Sequence, residues 1–423
     1  MTHSVLIIGG GGREHALACK LQQSPNVERI FILPGNAGTG MIGENVEIGI
    51  KNHAKIVEFV KENNIDLVVV GPDDPLADSM VDDLEAAGIS IFGPTKAAAE
   101  IEWSKVFAKE FMQAEGIPTA EFQVFSDQKE ANEYVKRQNF PVVIKASGLA
   151  RGKGVIIAKN LLEAEKAIQD LMEHKIFGEA GKEIVIEEFL RGDEISIHVF
   201  CDGKNIAMFP SAQDHKQIFD NDEGPNTGGM GTITPVPWVN KTLMDQIKRT
   251  IVLPTIRGLE KRGRKFVGVL YPGLMITNHG PKVIEFNARF GDPEAQSYMR
   301  VLKTDLFEIL SACVEARLDQ IKIEWTYESA CCVVLASGGY PGEYKKGISI
   351  DGLETTSSDA IIFHAGTKMQ DGAIVTNGGR VLGVTATGKD LSSALGKAYA
   401  RIKMIRFGGM QYRRDIGAKS SGK

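Results

Sequence analysis

Residues 5–21, VLIIGGGGREHALACKL, decide the fold of the first part of the chain. Residues 5–8 are a continuous apolar run that reads as a buried strand. Glycines 9–12 break it, and His15, Leu17, Ala18 and Leu21 resume at helical intervals. The same strand–turn–helix unit recurs downstream. Residues 29–33 form a strand ending in Pro34-Gly35-Asn36, 54–62 a helix, and 67–70 a strand closed by Gly71-Pro72. Residues 78–87 then form a helix and 90–92 a strand closed by Gly93-Pro94. Strands alternating with helices imply a parallel sheet covered by helices on both faces, here the α/β domain 1–100.

Beyond it a long helix is expected over 96–115, stopped by Gly116-Ile117-Pro118. Next come a helix over 129–136, a strand over 141–145, a glycine-rich loop over 148–154, a strand over 155–158 and a helix over 162–172. These make a small α/β insert. Strands are expected over 183–188, 194–201 and 205–209. A long polar, glycine-rich segment separates them from a helix over 241–260 and strands near 268–277 and 281–287. A strand over 330–336, a turn at Asn377-Gly378-Gly379 and a closing helix over 391–402 mark an α+β region. The expected division is 1–100, 101–325 with an inserted subdomain at about 120–190, and 326–423, in keeping with roughly 100–200 residues per domain.

Composition narrows the function. Of 423 residues 46 are glycine, about 11% against a usual ~7%, with no collagen-like period. The net charge of −5, from 49 basic and 54 acidic residues, offers no unpaired positive field for nucleic acid or an anionic membrane. Apolar runs fall far short of the ~20 residues that cross a bilayer, and residues 1–4 lack the basic start of a secretory signal. Cys19, Cys201, Cys313, Cys331 and Cys332 are odd in number and show no CxxC spacing. Reduced, buried thiols in a cytoplasmic enzyme are therefore expected rather than disulfides or a zinc site.

Two glycine loops are candidates for holding phosphate. Gly9 to Gly12 lie at a strand-to-helix turn, where free amides and the helix dipole favour an anion. A dinucleotide fingerprint is excluded there, because Glu14 and His15 stand where its third glycine would be and Pro34-Gly35-Asn36 replaces the ribose-binding acid. The alternatives are a mononucleotide-like phosphate site and a tight packing turn. The second loop, Gly148-Leu149-Ala150-Arg151-Gly152-Lys153-Gly154, joins two strands, so it is no Walker A loop. It suits either a flap over a triphosphate or a plain hairpin turn. Glu285 and Asn287, two residues apart, share one face of a strand. Their oxygens suit Mg²⁺ completed by water and phosphate, although a solvated strand face reads the same way. Arg289 adds a guanidinium that can grip a carboxylate or phosphate. Asp214-His215-Lys216 and Pro225-Asn226-Thr227-Gly228-Gly229 are polar segments with few core-forming residues, which favours a functional role. His215 could be a general base but reads better as a hydrogen-bonded structural residue. No Gly-x-Ser-x-Gly elbow or Cys–His nucleophile pattern is present.

Taken in order, GGGREHA (10–16), PGNAGT (34–39), SKVFAK (104–109), GLARGKGV (148–155), QDHK (213–216), GPNTGGMG (224–231), IEFNARFGDPE (284–294) and SGGYP (337–341) resemble the phosphoribosylamine–glycine ligase family of the ATP-grasp superfamily. The resemblance implies an N-terminal parallel-sheet domain, an ATP-grasp domain with a mobile lid subdomain and a C-terminal α+β domain. It also implies ATP-dependent joining of glycine to 5-phosphoribosylamine through glycyl phosphate, in purine biosynthesis. By the same resemblance Lys105, Lys145, Gly152, Lys153, Gly154, Glu187, Glu188, Leu190 and Glu194 would bind ATP. Glu285 and Asn287 would hold Mg²⁺ or Mn²⁺. Asp214, Asn226, Thr227, Gly228, Gly229 and Arg289 would receive glycine and its acyl phosphate, and Gly12, Asn36 and Asp73 would line the phosphoribosylamine site. Asp214, Arg289 and Lys153 would carry the chemistry. No nucleic-acid or membrane partner is implied, and a monomer ending at Lys423 without a further fused enzyme is expected. Ser147, Arg151, Gln217, Asp73, Asp74 and Pro272 depart from the family pattern; Pro272 implies an edge strand or a bulge. A non-catalytic nucleotide-binding regulator on the same fold and a nicotinamide-dependent dehydrogenase are the competing classes. The metal pair argues against the first and the glycine spacing against the second.

Overall fold

The computed structural model describes residues 2–148, 154–354 and 359–421, and of Ser421 the backbone only. The opening stretch forms β1 (His3–Gly9) and α1 (Gly12–Leu21). Gly9 has φ +124°, and a Cβ there would lie 2.6 Å from the Glu14 side chain, so the turn between them requires glycine. Then follow β2 (Val27–Pro34), β3 (Glu44–Asn45), α2 (His53–Glu62), β4 (Leu67–Val70), α3 (Asp73–Ala77), α4 (Met80–Ala86) and β5 (Ile91–Phe92). The strands make an all-parallel sheet in the order β3-β2-β1-β4-β5. Leu6 and Ile8 face a core shared with Ile56, Val60, Met80 and Leu84. Val5 and Ile7 face another, shared with Ala16, Leu17 and Tyr298. Both sheet faces are thus covered. The helix expected over 78–87 is α4; the short α3 before it lies outside that span, and the two are parted at Ser79, whose φ of +67° is left-handed.

The helix expected over 96–115 is two helices, α5 (Lys96–Trp103) and α6 (Lys105–Ala114). Ser104 is extended (φ −116°, ψ 104°) and its hydroxyl accepts the Phe107 N–H at 3.2 Å. Ser147 takes two more first-turn donors, Lys105 N–H on its carbonyl (2.9 Å) and Val106 N–H on its hydroxyl (3.3 Å). Alanine-rich spacing hides this break, because capping acceptors on residue 147 are invisible to local periodicity.

The insert comprises β6 (Phe122–Phe125), α7 (Gln128–Val135), β7 (Val142–Ala146), β8 (Val155–Ala158), α8 (Leu161–Ile168) and β9 (Ile184–Glu188), with sheet order β6-β9-β7-β8. It has a core of its own built on Ile144, Ile168, Leu171 and Ile186. Next come β10 (Asp193–Ser196), β11 (Val199–Asp202), β12 (Ile206–Met208), β13 (Gln213–Asp214), β14 (Gln217–Phe219), β15 (Glu223–Asn226) and β16 (Gly231–Thr234). They are followed by α9 (Lys241–Ile247), α10 (Leu253–Lys261), β17 (Val267–Thr277) and β18 (Gly280–Asn287).

Strand β17 lies between β18 on one side and β10 and β11 on the other, so Pro272 is not at an edge. Its missing N–H falls opposite Ile197, where the strand expected over 194–201 divides into β10 and β11. Only the Ile197 N–H to Pro272 C=O bond (3.2 Å) spans the gap. The expected bulge is present one residue on, between Gly273 and Leu274.

The chain continues through α11 (Glu294–Val301), α12 (Leu306–Val314), β19 (Ser329–Ala336), β20 (Ala360–His364), β21 (Thr367–Gln370), β22 (Ala373–Thr376), β23 (Arg380–Gly388), α13 (Leu391–Ile402) and α14 (Ala418–Ser421). The sheet of this last region runs β13-β16-β19-β23-β20. It therefore takes two strands from the polar segment before residue 325. That sharing ties the segment to the C-terminal region by backbone pairing. Cys201, Cys313, Cys331 and Cys332 are buried free thiols, and Cys19 is half-buried. Among the described residues no helix is long and apolar enough to cross a membrane.

Candidate active site

One cavity of about 570 Å³ lies where the insert, the β17–β18 ribbon, α5–α6, the β14–β15 hairpin and parts of both terminal regions meet. It brings together Lys105, Lys145, Gly154, Glu187, Glu188, Leu190, Glu194, Asp73, Asp214, Asn226, Thr227, Gly228, Glu285, Asn287 and Arg289. Gly152 and Lys153 lie outside the described residues. Gly12, Asn36 and Gly229 do not line it.

Under the insert the wall is apolar, with Val143, Ile157, Leu190, Met275 and Phe286, the character expected of a slot for a flat ring. Below it Glu187, almost fully buried, pairs with Lys145 at 3.0 Å and Lys109 at 3.1 Å. Lys145 Nζ also donates to the Ile284 carbonyl at 3.0 Å. Burial pushes Lys109 down to about 8 against the pull of Glu187, and burial likewise lowers Lys105. Glu188 turns outward to Lys282 at 2.6 Å. Backbone alternation along β9 separates the two side chains, one holding the lysines and one at the rim.

Glu285 and Asn287 lie two apart on β18 and both face the cavity. The Lys216 ammonium, 3.2 Å away, holds the Glu285 carboxyl down at about 2 despite burial, helped by Lys145 and Lys105. Asn287 Oδ1 accepts from Arg289 at 3.4 Å. A permanently charged carboxylate beside an amide oxygen fits a hard divalent cation. Among the described residues no cluster of three or more His, Cys, Asp or Glu could hold a metal alone, so two protein oxygens plus phosphate is the set that fits.

At the far end Arg289 is clamped by Glu102 (3.0 Å) and approached by Asp73 (4.0 Å). Glu102, on the last turn of α5, also accepts the Ala288 N–H at 2.8 Å. Burial raises Glu102 to about 7, with Arg289 opposing. Asp214 is raised well above the usual carboxylate range by burial and by the neighbouring Glu294. Glu294 accepts the Tyr271 hydroxyl at 2.7 Å and the Ser196 hydroxyl at 3.2 Å. Gly229 sits directly behind Asp214. At φ +110° its added Cβ would lie 2.6 Å from Asp214 Oδ1. Thr227 braces the turn, donating from its hydroxyl to Lys216 C=O (2.8 Å) and accepting the Gly229 N–H (3.0 Å).

His215 is not a base at this site. Its Nδ1 lies 3.0 Å from the Gly231 carbonyl and its Nε2 accepts the Gly417 N–H at 3.0 Å. Burial lowers it to about 4, so it is neutral. The first glycine loop also differs from a simple anion cup. The Gly11 N–H is taken by the Glu14 carboxylate at 2.5 Å. The Asn36 side chain is consumed by its own loop and by His364, its amide donating to the carbonyls of Gly10 (3.0 Å) and His364 (2.9 Å). Arg13 and Asp73 reach the cavity instead.

Several lining residues escaped the sequence reading. Lys216 and Glu294 stand inside motifs quoted for their neighbours, so the signal was present. Glu102 lay in the supposed middle of a helix. Arg380 comes from the C-terminal region and donates to the carbonyls of Gly228 and Asp292, each at 2.6 Å. No local pattern marks it.

A parallel-sheet domain, a lysine-lined cleft under a small four-stranded insert, and a carboxylate–amide pair facing that cleft together define an enzyme of the ATP-grasp class. Residues 103–295 match the family described as phosphoribosylglycinamide synthetase, ATP-grasp (A) domain, residues 3–102 its N domain and residues 330–419 its C domain. The chain belongs to the phosphoribosylglycinamide synthetase family. It is 48% identical to the phosphoribosylamine–glycine ligase of Caldanaerobacter subterraneus, covering 98% of this chain and 99% of that one. It is 50% identical to the trifunctional purine biosynthetic protein adenosine-3 of Gallus gallus, over 99% of this chain and 42% of that longer protein. The crystal structure of the phosphoribosylamine–glycine ligase of Thermotoga maritima superposes with a TM-score of 0.86 at 35% identity, covering 98% and 100% of the two chains.

Proposed function

We infer that this chain is a phosphoribosylamine–glycine ligase: it joins glycine to 5-phosphoribosylamine and converts ATP to ADP and phosphate. The observation that carries this reading is the shared cavity, in which Lys105 and Lys145, the Glu285–Asn287 pair, and Asp214 with Arg289 all face one space. A glycine carboxylate oxygen attacks the γ-phosphorus, ADP leaves, and the amine of phosphoribosylamine displaces phosphate from the resulting glycyl phosphate. Lys105 and Lys145 offset the charge of the phosphates, and Arg289, oriented by Glu102, grips the carboxylate or the acyl phosphate. A divalent cation, Mg²⁺ or Mn²⁺, held by Glu285 and Asn287 would supply charge neutralisation of the transferred phosphoryl group. The amine is already a nucleophile, so positioning carries the rate and no general base is required. Arg13 and Asp73 face the cavity from the N-terminal domain and support binding of the phosphoribosylamine there.

The test is ADP release with each substrate omitted in turn. Release that requires glycine and phosphoribosylamine together is the expected result. ATP binding without turnover would leave a nucleotide-binding regulator, and turnover with a different carboxylate would mean a sister ligase.

A further inference from the structure

The hairpin β14–β15 brings Gln217 and Asn226 to the cavity wall, yet its sheet has two strands only. Such a ribbon is marginal by itself. At its tip Asn221 and Asp222 both adopt left-handed backbone, with φ of 60° and 55°, less costly for Asn and Asp than for other non-glycine residues and further fixed by contacts from outside the hairpin.

The segment 413–420 holds it. Arg413 is 1% exposed. Its Nε and one terminal nitrogen donate to the two oxygens of Asp415 at 2.8 and 2.7 Å. The other terminal nitrogen donates to Asp222 Oδ1 at 2.8 Å and to the Gln217 carbonyl at 3.2 Å. The Asn221 N–H donates to Asp415 Oδ2 (2.8 Å), the Arg414 N–H to Asp220 Oδ1 (2.7 Å), and Lys419 pairs with Asp222. Nearer the cavity, the Gly417 N–H donates to His215 and the Ser420 hydroxyl donates to Gln213 Oε1 at 2.6 Å. The segment therefore grips the residues on both sides of Asp214 and Lys216 as well as the hairpin tip. A planar guanidinium bonded on every side fixes direction as well as distance.

We propose that segment 413–420, anchored by Arg413, is a positioning element that sets the β14–β15 hairpin, and with it Asp214, Asn226 and Thr227, for the glycine end of the reaction. The proposal rests on the ligase reading above. Arg413 does not line the cavity and acts through Gln217 and Asp222.

The test compares the full chain with Arg413→Met, Arg413→Lys and Asp222→Asn. Three quantities are read: KM for glycine, KM for ATP, and amide hydrogen exchange without ligands. In Arg413→Met the KM for glycine is expected to rise about tenfold or more, the cost of a misplaced contact, while that for ATP stays within about twofold. Exchange should accelerate over 217–226 and stay unchanged in β6, β7, β8 and β9. Arg413→Lys, which keeps the charge but loses the two-oxygen grip on Asp415, should fall between. Asp222→Asn should move the same readouts less far, and it carries the test if Arg413→Met does not fold. Unchanged exchange over 217–226 in a folded variant, or parallel rises in both KM values, overturns the proposal. A wild-type chain that does not turn over glycine would remove the ligase reading, and the exchange measurement would still decide whether 413–420 holds the hairpin.

Discussion

Single residues carry the charge logic of the cavity. Glu285 stays ionised because three lysines surround it, Lys216 nearest, and that permanent charge is what a divalent cation needs. Glu285→Ala is expected to abolish metal-dependent turnover while thermal unfolding remains cooperative; near-normal activity would sink the metal assignment. Glu102 is the opposite case, raised by burial to about 7. Above that pH it is charged and clamps Arg289; below it a proton occupies the carboxyl and the charge-assisted bond is lost. Turnover is therefore expected to fall between about pH 8 and pH 6 with an inflection near 7, and the inflection should vanish in Glu102→Gln. Gly229 admits no side chain, for steric and backbone reasons together. Gly229→Ala should lower kcat/KM for glycine by about tenfold or more, since it pushes on Asp214. Glu285 and Asn287 were legible because alternation on a strand is local, and Arg289 because it stands in the motif that follows β18. Glu102 was not, because its meaning depends on a helix ending one residue later.

That ending belongs to the scale of elements. Ser104 and Ser147 end one helix and start the next, so that Lys105 stands on the first turn of α6 at the cavity wall. Ser104→Ala removes a cap and should cost about 1 kcal/mol in urea unfolding; a change indistinguishable from zero would mean that Ser147 alone holds the helix start. Strand–turn–helix periodicity over 3–92 was readable because an apolar run, a glycine turn and helical spacing are local patterns, although the central strand they mark pairs over 25 and 62 residues, as Val5 does with Ile30 and Leu67. The division of the strand over 194–201 was not, since its cause is the missing donor of Pro272 on a strand about seventy residues away in sequence, and register between distant strands leaves no local trace. Pro272 itself was read correctly as a bulge signal and wrongly as an edge signal.

At the scale of the whole molecule the cavity belongs to no single domain. Arg13 and Asp73 come from the parallel-sheet domain, Lys105 and Lys145 from α6 and the insert, Lys216 from between β13 and β14, and Arg380 from the C-terminal region. The sheet β13-β16-β19-β23-β20 explains why: its first two strands flank the β14–β15 hairpin, so the C-terminal region and the Asp214 side of the cavity are built on one backbone ladder. The motifs announced the family and most of the cavity lining. The way the sheet crosses the expected boundary at residue 325 was hidden, because β13 and β16 are short and polar in context. In this joint cavity ATP is expected to activate the glycine carboxylate. That step is tested most directly by turnover with glycine carrying heavy oxygen in its carboxylate. One labelled oxygen should pass to the released phosphate per glycinamide ribonucleotide formed. Labelled oxygen lost to water or found in ADP instead of phosphate, or ADP release with no dependence on glycine, would overturn it.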